Sequence, residues 1–140
     1  MFSPEWLARP DESEYVKEPF PTNGDRIAAG EVAKRQNTAA FTRTGFIAQA
    51  IAAGWHHKSP EQLKELGDKV GRDRIMVLHG EIDRMITFPH GEILLKGLGG
   101  EESGITVHFE PRQGHVFLIE MRDQFRKWLE ELIEKAEKLS

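Results

Sequence analysis

The sequence predicts an α/β fold built on two parallel strands with flanking helices, and three patterns carry that prediction. The apolar run Ile75-Met76-Val77-Leu78, bounded by Asp73 and Gly80, is typical of a strand buried on both faces. The β-branched run at residues 105–109 indicates a second strand. A helix is predicted between them, from residue 89 to about 98. A strand–helix–strand unit this short implies a right-handed crossover, which leaves the two strands parallel.

Helices are predicted on both sides of this unit. The segment Ser59-Pro60-Glu61-Gln62 is a good helix start, because serine caps, proline suits the first helical position and glutamine follows three residues after the cap. Two earlier helices are expected at residues 26–36 and from about 37 or 38 to 54, after an irregular, mostly exposed lead-in at residues 1–24. The last predicted helix has one apolar stripe, formed by Met121, Phe125, Trp128, Leu129, Leu132, Ile133 and Leu139.

Composition excludes several classes of function. The formal net charge of −4 gives no basic surface for nucleic acid. The absence of cysteine removes disulfides and thiolate chemistry. No apolar run reaches the roughly 18 residues of a membrane span, and residues 1–6 lack the features of a signal peptide. His56 and His57 have no third ligand at helical spacing. We therefore expect a cytoplasmic protein with no cofactor, no metal, no nucleic-acid partner and no membrane span.

An acid and a histidine follow the two predicted strands. Asp83 lies in the loop after Val77-Leu78, and His115 lies in the loop after the strand at 105–109. In open α/β sheets, ligands sit beyond the carboxyl ends of the strands, so these two side chains are expected at one edge of the sheet. Histidine changes charge near neutral pH, which suits it to moving protons.

The two loop segments, "VLHGEIDRMI" and "FEPRQGHV", resemble the last two active-site segments of α/β-hydrolases. In that family the triad follows the chain order nucleophile, acid, histidine. The strand-Gly-x-x-Asp pattern matches Gly80 and Asp83, and the Gly-His pattern matches Gly114 and His115.

The resemblance covers residues 74–140 and implies two parts. Residues 73–140 would be the C-terminal part of the hydrolase core, with two parallel strands and flanking helices. Residues 1–72 would be a helical cap or lid-like segment, similar to the caps of fungal members of the family. The implied activity is that of an esterase- or lipase-like serine hydrolase acting on a small-molecule acyl substrate.

The resemblance also assigns roles to the two residues. His115 would be the general base, and Asp83 would hold its imidazole in the right tautomer and stabilise its charged form. The family's nucleophile motif, Gly-x-Ser-x-Gly on a strand-to-helix turn, is missing from this sequence. Arg112 is bulky and charged where the turn before the histidine usually carries smaller residues, so it is a candidate to perturb His115. None of the serines follows a predicted strand into a helix; they are Ser3, Ser13, Ser59, Ser103 and Ser140.

Three hypotheses follow from the missing nucleophile. The first is a truncated C-terminal part of an α/β-hydrolase, inactive alone. The second is one half of a split hydrolase, completed by another chain that supplies the N-terminal half. The third is a non-catalytic binding or assembly module that uses the helical segment and an exposed sheet edge. Because the predicted strands are of a kind that needs neighbours, self-association is also expected.

Overall fold

The computed structural model of the chain describes residues 1–11, 13 and 17–139. Within these residues the protein is mixed α/β, with seven α-helices and one two-stranded parallel sheet. In chain order the elements are α1 (Pro4–Leu7), α2 (Asn23–Gln36), α3 (Arg43–Trp55), α4 (Pro60–Val70), β1 (Met76–Gly80), α5 (Pro89–Leu98), β2 (Thr106–Glu110), α6 (Phe117–Glu120) and α7 (Arg122–Glu137). Contacts divide the chain into two compact units, one of Pro4–His57 and one of Met1–Ser3 with Lys58–Ser140.

The first unit holds α1 to α3. Thr22 caps α2, and Asp25 bonds back to the cap to complete a capping box. The side-chain amide of buried Asn23 donates to the carbonyl of Trp6 over 3.1 Å. Trp6 is itself buried, so the expectation of a mostly exposed lead-in was wrong for these residues, which anchor α1 to the start of α2. In contrast, α3 buries none of its residues.

The second unit contains the sheet. β1 and β2 are parallel and in register from Met76 opposite Thr106 to Gly80 opposite Glu110, as the sequence predicted. One face carries the apolar core, and α4 packs there against α5. The core residues are Leu63, Val77, Leu95, Leu98 and Ile105.

The predicted boundary between the cap segment and the core, at residues 72 and 73, follows α4. The division seen in the structure falls before α4, between residues 57 and 58. The helix starts with the capping box at Ser59 and Gln62 that its sequence indicated. It is joined to the sheet unit by buried Leu63, because that side chain belongs to the same core as Val77. That residues 1–72 form a hydrolase cap stays a prediction.

The other face of the sheet is covered by α7. Its buried Trp128 stacks on His108 of β2, with ring centroids 4.0 Å apart and planes 12° from parallel. Lys135, near the end of the helix, donates to the carbonyl of Gly104 and pairs with Asp73 at 3.2 Å. The strands therefore lie between two helical layers, α4 with α5 on one side and α7 on the other. None of the helices among the described residues is long and apolar enough to cross a bilayer.

Acidification is expected to destabilise the packing of α7 through His108. Burial lowers the pKa of His108, although Glu110 and Glu131 raise it in part. The unfolded chain then takes up a proton before the folded one, so the free energy of unfolding falls as pH drops below the ordinary histidine pKa of about 6.5. Urea titrations at pH 7.5 and 5.5 measure this. His108→Phe keeps the stack on Trp128 and should reduce the difference between the two pH values.

Exposed His90 provides the control for that experiment. His90→Gln should keep the wild-type difference in unfolding free energy between the two pH values. An undiminished difference in His108→Phe would show that His108 does not carry the effect.

Candidate active site

The first part of the site is the loop that follows β1. The chain turns at once, because the backbone N–H of Asp83 donates to the carbonyl of Gly80 over 3.1 Å. The Asp83 carboxylate bonds to the backbone of the residues that follow it: Oδ1 accepts the N–H of Met85 at 2.8 Å and the N–H of Ile86 at 3.1 Å. Asp83 is only 8% exposed. A buried carboxylate held by two backbone donors has a fixed orientation.

The second part is the loop that follows β2, which is bound to the first loop through the backbone. The N–H of Glu81 donates to the carbonyl of Glu110 over 2.9 Å, and the N–H of Ile82 donates to the carbonyl of Gln113 over 3.1 Å. Gly80 makes this approach possible, because a Cβ there would lie 2.5 Å from the carbonyl oxygen of Gly114. The two loops therefore leave the sheet side by side.

This arrangement brings the two predicted site residues together. Nδ1 of His115 lies 2.8 Å from Oδ2 of Asp83. Burial raises the pKa of Asp83, but the hydrogen bonds from His115 and from the backbone N–H groups of Met85 and Ile86 outweigh it, and the net pKa is lowered. Asp83 is therefore an ionised acceptor, and Nδ1 of His115 is the donor. In neutral His115 this tautomer leaves the lone pair on Nε2.

The Nε2 side of His115 is open to an incoming group. The His115 side chain is 30% exposed, and none of the described residues forms a hydrogen bond with Nε2. Asp83 thus fixes the ring, and the free nitrogen has the lone pair that a general base requires. Arg112, the candidate to perturb this histidine, is exposed, and the described residues show no hydrogen bond or ion pair between it and His115.

The N-terminal tripeptide supports the histidine loop. The carbonyl oxygen of Met1 accepts the N–H of Val116 at 3.4 Å, and it lies so close to Gly114 that a side chain there would collide with it. The N–H of buried Ser3 donates to Glu120 over 2.8 Å, and its hydroxyl bonds the same carboxylate. No sequence pattern signals these contacts, because three residues have no periodicity and their partners lie more than a hundred positions away.

His79, the last residue of β1 but one, also lies beside the acid. Its Nε2 is 3.0 Å from the carbonyl oxygen of Ile86 and 3.9 Å from Oδ2 of Asp83. The described residues contain no group of three or more histidine, aspartate or glutamate side chains placed to bind a metal ion. Nε2 of His79 is engaged with the backbone carbonyl of Ile86.

Comparison of the chain with protein-family models, with curated proteins and with solved structures found no match. The interpretation of the site therefore depends on its own geometry.

Proposed function

We propose that this chain is the C-terminal part of an α/β-hydrolase of the esterase or lipase type, in which it supplies the acid and the histidine of a catalytic triad. The observation that supports this most is the 2.8 Å hydrogen bond between Asp83 and His115, which follow two adjacent parallel strands. The lowered pKa of Asp83 and the open Nε2 of His115 are the properties that the acid and the base of a triad need.

The proposed reaction needs a hydroxyl nucleophile from residues outside this sequence. Nε2 of His115 would take the proton of that hydroxyl as its oxygen attacks the ester carbonyl. Asp83 would stabilise the imidazolium, which would then return the proton to the leaving alcohol. Water would attack the acyl intermediate in the same way and release the acid. The nucleophile would belong either to another part of a longer protein or to a second chain, and residues 1–72 would serve as the cap.

A second candidate function is a non-catalytic binding module, and the exposure of α3 favours it. This helix is apolar in sequence, yet Phe46, Ile51 and Trp55 are each at least 60% exposed. Exposed aromatic and aliphatic side chains on one helix are typical of a surface that binds a partner. This function needs no nucleophile, so chemical labelling separates the two candidates.

The chain alone is expected to show no hydrolysis of a short-chain aryl ester beyond that of an exposed histidine, because none of the described residues places a hydroxyl in hydrogen bond with Nε2 of His115. Steady-state rates of wild type and His115→Ala would be compared over a range of substrate concentrations. A rate that saturates with substrate and is lost in His115→Ala would show that the chain is a complete enzyme.

The proposal itself is tested on the protein isolated from its own cells with an antibody against this chain. A fluorophosphonate, which labels activated serines, is added to the isolate. Label on a serine of the same polypeptide supports a longer hydrolase, and label on a copurifying chain supports a split enzyme. In both cases His115→Ala and Asp83→Asn should reduce labelling by about 10³-fold or more. His90→Gln should leave it unchanged. An isolate that takes no label would favour the binding module.

A further inference from the structure

We propose that His79 is a positioning residue of this site, which holds the loop that orients the Asp83 carboxylate toward His115. The inference rests on the proposed function, since it gives His79 a role in the same acid–histidine pair. Nε2 of His79 lies 3.0 Å from the carbonyl oxygen of Ile86. Because a carbonyl oxygen only accepts hydrogen bonds, Nε2 carries the proton and donates it.

The contact with Ile86 matters because the same residue holds the carboxylate. The N–H of Ile86 donates to Oδ1 of Asp83 over 3.1 Å, while its C=O accepts from His79. The direct distance from Nε2 of His79 to Oδ2 of Asp83 is 3.9 Å, which is too long for a hydrogen bond. The influence of His79 on the carboxylate therefore runs through the backbone of Ile86.

The loop has few other anchors at this point. The side chains of Arg84, Met85 and Ile86 are all exposed, so packing does little to hold the segment. Among the described residues, the backbone carbonyl of Ile86 is fixed by the imidazole of His79. Residues 81–83 are held to the sheet and to the histidine loop through their backbone N–H groups. Without the His79 donor, residues 84–86 would be held, among the described residues, only by the bonds that Asp83 accepts from Met85 and Ile86, and the carboxylate would be oriented less firmly.

His79 is itself held rigidly, as a positioning residue must be. Its side chain is only 12% exposed, and its ring meets the edge of Phe88 at 5.8 Å between centroids. Phe88 in turn contacts Phe109 of β2 at 5.0 Å. A Cβ on Gly91 of α5 would lie 2.9 Å from the imidazole, so that glycine leaves space for the ring.

Nuclear magnetic resonance of the purified chain, with ¹⁵N-labelled histidine, tests the inference without any need for activity. In wild type, the proton on Nδ1 of His115 should give a strongly downfield signal, because it is hydrogen-bonded to a buried carboxylate and protected from water. His79→Leu removes the donor to Ile86 and should make this proton exchange with water about tenfold faster, the factor that corresponds to one weakened hydrogen bond. Retained methyl shifts of Val77 and Leu98 would show that the core is intact.

Two further variants separate a positioning role from a packing role. His79→Gln places an amide donor near the former Nε2 position and should restore the slow exchange of the His115 proton. His90→Gln alters an exposed histidine whose side chain hydrogen-bonds Thr87, and it should have no effect. Fast exchange in a folded His79→Gln, or wild-type exchange in His79→Leu, would overturn the role of His79 and leave the Asp83–His115 pair intact. A wild-type signal that is absent, or unaffected by Asp83→Asn, would instead overturn the proposed function.

Discussion

Replacing Gly80 with alanine is expected to cost about 3 kcal/mol of folding free energy and to separate Asp83 from His115. A Cβ at this position would lie 2.5 Å from the carbonyl oxygen of Gly114 and 2.7 Å from the carbonyl carbon of Gln113. Both atoms belong to backbone, so neither can move aside as a flexible side chain would. The histidine loop must shift away from β1, and it would carry His115 with it.

The matched control is Gly97→Ala in the same unit. A Cβ there would meet only the buried Leu63 side chain among its three nearest neighbours, with Cδ1 at 2.5 Å and Cβ at 3.2 Å, so repacking of a side chain and not a shift of distant backbone can relieve the contact. We therefore expect a loss of roughly 1 kcal/mol from Gly97→Ala, with the His115 Nδ1 proton still protected. Urea unfolding measures both losses, and the His115 signal reports the pair. A Gly80→Ala protein as stable as Gly97→Ala, with its His115 signal unchanged, would mean that the two loops do not depend on this close approach.

Much of the sheet unit was predictable from sequence, because its signals are local. The apolar run at residues 75–78 and the β-branched run at residues 105–109 each predicted a strand with bounds correct to within about two residues. The capping box at Ser59 placed the start of α4. The pairing of Asp83 with His115 followed from a simple rule, since parallel neighbouring strands place their carboxyl ends at one edge.

The parts that sequence did not predict depend on contacts between distant residues. Ser3 reaches Glu120 across most of the chain, and nothing in residues 1–3 indicates it. The link between His79 and the acid is not visible in the sequence, because no pattern shows that its partner Ile86 also donates to Asp83. The start of α3 at Arg43, and not near residue 37 or 38, is set by the cap at Thr42. Several polar residues before Thr42 are equally plausible as helix caps, so the sequence does not single out Thr42.

The isolated chain is expected to self-associate through the outer edge of β1. The carbonyl of Ile75 accepts from Thr106, and the N–H of Glu81 donates to Glu110. In a parallel pair alternate residues face the neighbouring strand, so residues 76, 78 and 80 direct their backbone groups away from β2. The sheet of the described residues has no third strand. The C=O of Gly80 accepts from Asp83, so the N–H and C=O groups of Met76 and Leu78 are the ones that such an edge offers to a strand of another copy.

Two substitutions test whether the edge is responsible. Met76→Pro removes one outward N–H at the first residue of β1, where proline is tolerated, and Ile75 before it is already extended. It should shift the chain from oligomer to monomer in sedimentation experiments. Ile93→Lys removes one of the most exposed aliphatic side chains of α5 and leaves the edge untouched, so the oligomer should persist. Loss of the oligomer in Ile93→Lys alone would assign the association to the helix surface.

Amide exchange followed by mass spectrometry locates the same effect along the chain. Protection of residues 75–78 should rise with protein concentration, because pairing with a second copy buries N–H groups that β2 does not reach. Protection of residues 125–133 in α7 should be strong at every concentration, because Trp128 packs on His108 within one chain. If the chain stays monomeric at high concentration, melts cooperatively and shows equal amide protection in β1 and β2, it is a domain that folds completely on its own. Its sheet would then need no further strand, and an independent module would replace the hydrolase part as the better interpretation.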